Sequence, residues 1–141
     1  MRPVLFILCW LTGSSLSWAG EELVVVVHAS NELSRLSRTQ ISDLFLGRST
    51  SFPNGRHVTV VEQTRDSRTR EEFFKRINGM SLNQVNTYWA RLTFSGRVTP
   101  PFTVPNSREV VRTIATNPNA IGYIHPDALD DSVRTVLDLR D

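Results

Sequence analysis

The chain has 141 residues, with 16 basic against 14 acidic side chains and one cysteine. Its length suggests a single domain. The near balance of charge excludes the large basic excess of a nucleic-acid binder, and one cysteine excludes a disulfide-stapled scaffold.

Residues 1–19, MRPVLFILCWLTGSSLSWA, place a basic head at Arg2 before an apolar run from Val4 to Leu11, with small residues at Ser17 and Ala19. That three-part pattern predicts a secretory signal peptide cleaved after Ala19. The apolar run is shorter than the roughly 20 residues a bilayer span needs, so no membrane span is expected after cleavage. Ile7 and Leu8 precede Cys9 where a lipid-attachment site would want a small residue, so no lipid anchor is expected either. Residues 20–141 form the expected single domain and contain no cysteine. Export without disulfides fits a bacterial periplasm. With Arg2 set aside, 15 basic residues face 14 acids, and Lys75 is the only lysine.

ELVVVVHAS is an apolar, β-branched run, and its pattern predicts a strand over 23–28 buried on both faces. Ser37 and Gln40 have capping-box spacing, Ile41, Leu44 and Phe45 share a helical face, and Gly47 stops that helix. SFPNGRH is a turn cluster, and HVTVVEQ is a second strand on which Glu62 is expected to be exposed. Phe73 and Ile77 mark one face of a helix ending near Asn78 and Gly79. Ser81 and Gln84 form another capping box, followed by Val85, Trp89 and Leu92 on one face; Tyr88 and Trp89 are expected as rim and core. RVTPPFTVP is expected to be a loop, because paired prolines cannot continue a helix. Asn106 and Glu109 have cap spacing before the face formed by Val110, Val111 and Ile114. AIGYIH and VRTVLDL are the last two strands. Strands separated by helices predict an α/β three-layer sandwich with a mostly parallel central sheet. Ligands of such sheets sit beyond the carboxyl ends of the strands.

The segments SRTQISDLFLGRSTSFPNGRHVTVVEQTRDSRTREEFF, YWARLTFSG and EVVRTIATNPNAIGYI together resemble the periplasmic phosphate-binding proteins of ABC transporters, over roughly residues 23–125. The resemblance implies one lobe, the second, of a two-lobed periplasmic-binding-protein-like fold, with the first lobe and its phosphate loop absent. It also places the family's Ser-Gly-Thr anion loop on Ser67, Arg68 and Thr69. The family arginine falls on Gln63, the glycine before the serine becomes Asp66, and a family tryptophan becomes Phe52.

A helix starting near Ser67 leaves its first N–H groups for an anion. The candidate oxyanion-binding residues are Gln63, Arg65, Ser67, Arg68 and Thr69. Asp66 is expected to oppose binding unless it pairs with Arg65 or Arg68. Capping competes for the same N–H groups, by Ser67 or by Thr69 with Glu72. A single lobe buries a ligand on one side only, so millimolar affinity is expected. The histidines His28, His57 and His125 have no metal-site spacing, Glu71 and Glu72 point apart on a helix, and no G-x-S-x-G elbow occurs. The expectation is therefore a non-enzymatic periplasmic module without cofactor or metal. It would bind phosphate or a similar oxyanion weakly in connection with phosphate transport. The alternative is an interaction or assembly module of the cell envelope that has lost its ligand, forming a homodimer or docking on an envelope protein.

Overall fold

The computed structural model describes residues 22–96 and 98–140. The signal peptide expected over 1–19 lies outside the described residues. The elements run in the order β1 (Val24–His28), α1 (Arg38–Phe45), β2 (Thr59–Gln63), α2 (Arg68–Asn78), α3 (Leu82–Phe94), β3 (Phe102–Val104), α4 (Ser107–Ala115), β4 (Ala120–Ile124) and β5 (Val133–Asp138). One turn of 3-10 helix at Pro126–Ala128 joins the last two strands.

The strands form one mixed sheet in the order β3-β2-β4-β1-β5. β2 is parallel to both β3 and β4, whereas β1 is antiparallel to β4 and to β5. Four of the five strands therefore point the same way, and β1 alone runs against them. The fold is the expected three-layer α/β sandwich. One face of the sheet packs Val25, Val27, Ile121 and Tyr123 against α1, α2 and α3 through Phe45, Phe73, Phe74 and Val85. The other packs Val24, Val26, Val61 and Ile124 against α4 through Val110, Val111 and Ile114. Covered on both sides, β1 and β4 need apolar residues at successive positions, which is why VVVV and AIGYI show no alternation.

The local signals act as the sequence suggests. Ser37 with Gln40 and Ser81 with Gln84 close reciprocal capping boxes at the starts of α1 and α3. Gly79 ends α2 at φ 73°, a left-handed turn that favours glycine. Trp89 is buried, and the half-buried Tyr88 donates its hydroxyl to the Leu46 carbonyl at 2.7 Å.

Two expectations fail. The segment read as a loop between α3 and α4 contains β3, which extends the sheet beside β2, with Val61 opposite Phe102 and Gln63 opposite Val104. Its three residues lie between Pro101 and Pro105, and proline is tolerated at such an edge because its missing N–H faces no partner strand. Glu62 is not exposed: it is 2% accessible, because Arg70 reaches back from α2 to pair with it.

α4 sits unusually close to β4. A Cβ at Gly122 would lie 2.5 Å from Val110 Cγ1 and 3.3 Å from Ile114 Cδ1. Gly122→Ala is therefore expected to destabilise the fold by about 1–3 kcal/mol through overpacking. Thermal melting monitored by circular dichroism should show a Tm several degrees lower; an unchanged Tm would mean that α4 has room to shift.

Candidate functional site

Both β2 and β4 end at the same edge of the sheet, and two helices begin there. α2 follows β2 after a four-residue turn, Thr64 to Ser67, closed by the Ser67 N–H donating to the Thr64 carbonyl at 2.8 Å. α4 follows β3, which is parallel to β2, so its start faces the same edge. Between these helix starts lies an open cleft of about 820 Å³, bordered by Gln63, Ser67, Arg68, Thr69, Ser107, Arg108 and His125 among others.

Each helix start is capped in a way that leaves two donors over. Ser67 is the N-cap of α2, its hydroxyl accepting from the Arg70 N–H at 3.0 Å. Asn106 caps α4, accepting from the Glu109 N–H at 3.0 Å. The next backbone bonds run from Glu71 to the Ser67 carbonyl and from Val110 to the Asn106 carbonyl. The N–H groups of Arg68, Thr69, Ser107 and Arg108 thus have no acceptor among the described residues, as expected for the first turn of a helix. Capping and anion contact do not exclude each other here, because the cap takes the third N–H and leaves the first two.

His125, just past the end of β4, ties the two starts together. Its backbone N–H donates to Ser107 Oγ at 3.0 Å, its Nε2 lies 3.2 Å from Thr69 Oγ1, and its Nδ1 lies 3.2 Å from the Glu22 carbonyl. A carbonyl only accepts, so Nδ1 carries the proton in the neutral ring. Nε2 then accepts from the Thr69 hydroxyl.

Beneath the turn is a buried polar cluster. Glu62 Oε2 accepts from Arg70 Nε at 2.9 Å. Its Oε1 accepts from the Tyr123 hydroxyl, and the Gln63 N–H donates to it at 3.3 Å. Arg70 Nη1 donates to the Arg65 carbonyl at 3.0 Å and to Asn86 Oδ1 at 2.8 Å, while its guanidinium lies 5.2 Å from the Phe74 ring centroid. Arg70 therefore fixes the backbone of the turn that presents Ser67 and Thr69. Burial pushes the Glu62 carboxyl above its ordinary range, and the Arg70 charge with the Tyr123 hydroxyl offsets only part of that. Burial, then the Glu62 charge, raises the Tyr123 hydroxyl.

The candidate residues divide. Gln63, Ser67, Arg68 and Thr69 border the cleft together. Gln63 is buried and commits one amide N–H to the Tyr123 carbonyl at 3.0 Å. Arg65 points elsewhere, into a groove between α3 and β3. Asp66 is exposed, is not among the cleft residues and forms no ion pair among the described residues, so neither pairing considered for it occurs. Thr69 is not a cap: it lies in the first turn, and Glu72 pairs with Arg76 at 2.7 Å instead. The sequence reasoning missed Asn106, Ser107, Arg108 and His125. The cap spacing of Asn106 and Glu109 was visible, but nothing local showed that this cap shares an edge with Ser67. Among the described residues, no three His, Cys, Asp or Glu side chains form a metal-sized cluster.

With this geometry in view, the fold is similar to part of the solved structures of two phosphate-transport substrate-binding proteins. One solved structure, from Clostridium perfringens and assigned as a phosphate ABC transporter substrate-binding protein with phosphate bound, superposes with a TM-score of 0.65 at 23% identity. It covers 82% of this chain and 44% of its own. An ABC-type phosphate transport receptor from Vibrio cholerae superposes with a TM-score of 0.64 at 20% identity, over 82% of this chain and 45% of its own. This chain thus spans less than half the length of the solved proteins it resembles. No protein-family model matches the sequence, and no curated protein matches it closely enough to carry an argument.

The Glu62–Arg70 pair gives a sharp stability test. Because the folded-state carboxyl lies above its unfolded value, Glu62 stabilises the fold fully below its ordinary pKa. That contribution is lost as pH rises through the raised folded value. Arg70→Leu removes the opposing charge and raises that value further. Denaturant unfolding should show a loss of about 3–5 kcal/mol at pH 7, and a smaller loss at pH 5, because lowering the pH toward the ordinary carboxylate range favours the neutral carboxyl, which needs no partner charge. A loss equal at both pH values would mean that Glu62 does not carry the effect.

Proposed function

We propose that the chain is a non-enzymatic, phosphate-binding-protein-like module of the bacterial periplasm, binding phosphate or a similar oxyanion weakly in connection with phosphate transport. The domain proper is residues 20–141, freed by cleavage of the signal peptide. No helix among the described residues is long and apolar enough to cross a membrane.

One observation carries this reading: two helix starts and the exposed Arg68 and Arg108, which form no ion pair among the described residues, border a single cleft beyond the ends of parallel strands. Arg112 on the same cleft is paired with Glu109, and the exposed Asp127 and Asp130 there oppose an anion. Helix starts favour anions through unpaired N–H groups and the helix dipole. Ser67 and Ser107, whose hydroxyl oxygens accept within the protein and keep their protons to give, add donors beside those groups, whereas the Thr69 proton is already given to His125. Gln63, at the family's arginine position, supplies no charge, and Arg68 and Arg108 take over that role from different positions. The likeness to a phosphate-loaded neighbour supports the ligand class, and the neighbours' transport roles support a module that binds rather than converts.

Magnitudes fix the strength. Each exposed helix start contributes about 0.3–1 kcal/mol and each solvent-exposed arginine contact about 0–1 kcal/mol. For two helix starts and two arginines these contributions total about 0.6–4 kcal/mol, so only the upper end reaches the roughly 4 kcal/mol of millimolar affinity, well short of micromolar, and Asp127 and Asp130 on the same cleft act against an anion. The open cleft covers a ligand on one side only, whereas tight sites bury most of it.

Isothermal titration with phosphate and with sulfate should give a Kd of about 1 mM or weaker for at least one of them. Arg68→Gln with Arg108→Gln should weaken binding about tenfold or more, and Arg65→Gln should leave it unchanged. If no heat appears at tens of millimolar ligand, the oxyanion reading fails. The envelope interaction or assembly module would then be the better account.

A further inference from the structure

Among the described residues, three large apolar side chains are exposed: Phe94 at 96%, Phe102 at 60% and Leu129 at 40%. Two of them lie in chemically opposite surroundings. Phe94 borders a groove of about 670 Å³ between α3 and β3, with Trp89, Ala90, Pro100 and Pro101 as its apolar lining. The exposed charges on this groove and the shallower hollow continuous with it are Arg65 and Arg91. Among the described residues, the only carboxylate that reaches it is Glu62, which is buried and already paired with Arg70. Leu129 instead projects from a turn whose exposed charges are Asp127, Asp130 and Asp131.

We propose that the α3–β3 groove receives the Asp127–Asp131 turn of a second copy of this chain, with Leu129 against Phe94 and the turn's aspartates against Arg65 and Arg91. Charge complementarity selects this occupant: a basic rim around an apolar floor meets an acidic rim around an apolar tip. The turn is also set for docking before contact. Pro126 begins its 3-10 turn, and the Ser132 N–H donates to Asp130 Oδ1 at 2.8 Å, so little ordering remains to be done. Addition of a strand at the β3 edge is a poor alternative, since that edge is three residues long and bracketed by Pro101 and Pro105.

The contact is between two different surfaces, so each copy carries one groove and one turn. Asp127 and Asp130 also border the cleft beyond β2 and β4, so a docked copy lies against the cleft's open side. The inference does not depend on oxyanion binding, and its test uses no anion ligand.

Sedimentation velocity of the purified protein, from roughly 10 µM to 1 mM, is expected to show association that weakens between about 0.05 M and about 0.5 M salt as the charges are screened. Two variants then separate the surfaces. Arg65→Glu with Arg91→Glu disables the groove; Leu129→Ser with Asp131→Arg disables the turn. All four positions are exposed, and unchanged circular dichroism and Tm would confirm that both variants fold. Each alone should sediment as a monomer, and an equimolar mixture should recover a one-to-one dimer through the intact groove of one and the intact turn of the other. A monomeric unsubstituted protein at every concentration would overturn the proposal. So would association that either variant leaves intact, or a mixture that stays monomeric.

Discussion

The ion pair between Glu62 and Arg70 is the constraint on which the cleft depends. Both groups are nearly fully buried, Glu62 at 2% and Arg70 at 6% accessible. Burying two charges is costly unless further hydrogen bonds satisfy them. Tyr123 and the Gln63 N–H supply those bonds for Glu62, and the Arg65 carbonyl and Asn86 supply them for Arg70. The cluster thereby joins β2, β4, α2, α3 and the turn between β2 and α2. A turn of four exposed or half-exposed residues has little apolar surface with which to hold its own shape. Its shape is imposed from below by an arginine that leaves the helix and returns to the turn's backbone.

The aromatic packing serves the same end. Phe73 stacks on Tyr123 with ring centroids 4.0 Å apart, and Phe45 lies 4.8 Å from Phe73. These rings fix α1 and α2 against β4 and hold the Tyr123 hydroxyl at Glu62. On the other face, Gly122 lets α4 approach β4 closely enough to bring its start beside His125. The cleft is thus built from both layers of the sandwich, with His125 joining them at the strand ends. A lobe of this kind offers donors from one side only. The match covers less than half of each solved neighbour, so those chains continue well beyond the part that this one resembles. That asymmetry is the physical basis of the weak binding proposed for this cleft.

Much of this was legible in the order of residues. VVVV announced a doubly buried strand, because a short continuous run of β-branched residues suits one, and AIGYI announced a strand. Ser37, Ser81 and Asn106 announced helix starts because the geometry that satisfies a first-turn N–H is local. Ser67 was recognised as either an anion contact or a cap, and the helix it starts has room for both. What failed, failed where a distant partner decided the outcome. Glu62 looks like a surface residue until Arg70 is brought to it from eight positions along the chain. The stretch from Pro100 to Pro105 looks like a loop until β2 offers it a parallel neighbour.

That last point separates what the sequence determines from what only the tertiary structure decides. The sequence by itself determined the class of fold, most element boundaries and the candidate anion turn at 63–69, because periodicity, capping and turn chemistry act over a few residues. Whether β3 exists was decided by pairing across 41 positions, Val61 with Phe102. That pairing makes α4 start at the same edge as α2, and so brings Ser107 and Arg108 to Ser67 and Thr69. Arg65 was turned away to the other groove by the same fold. Local chemistry wrote each helix start; the sheet's strand order put two of them around one cleft.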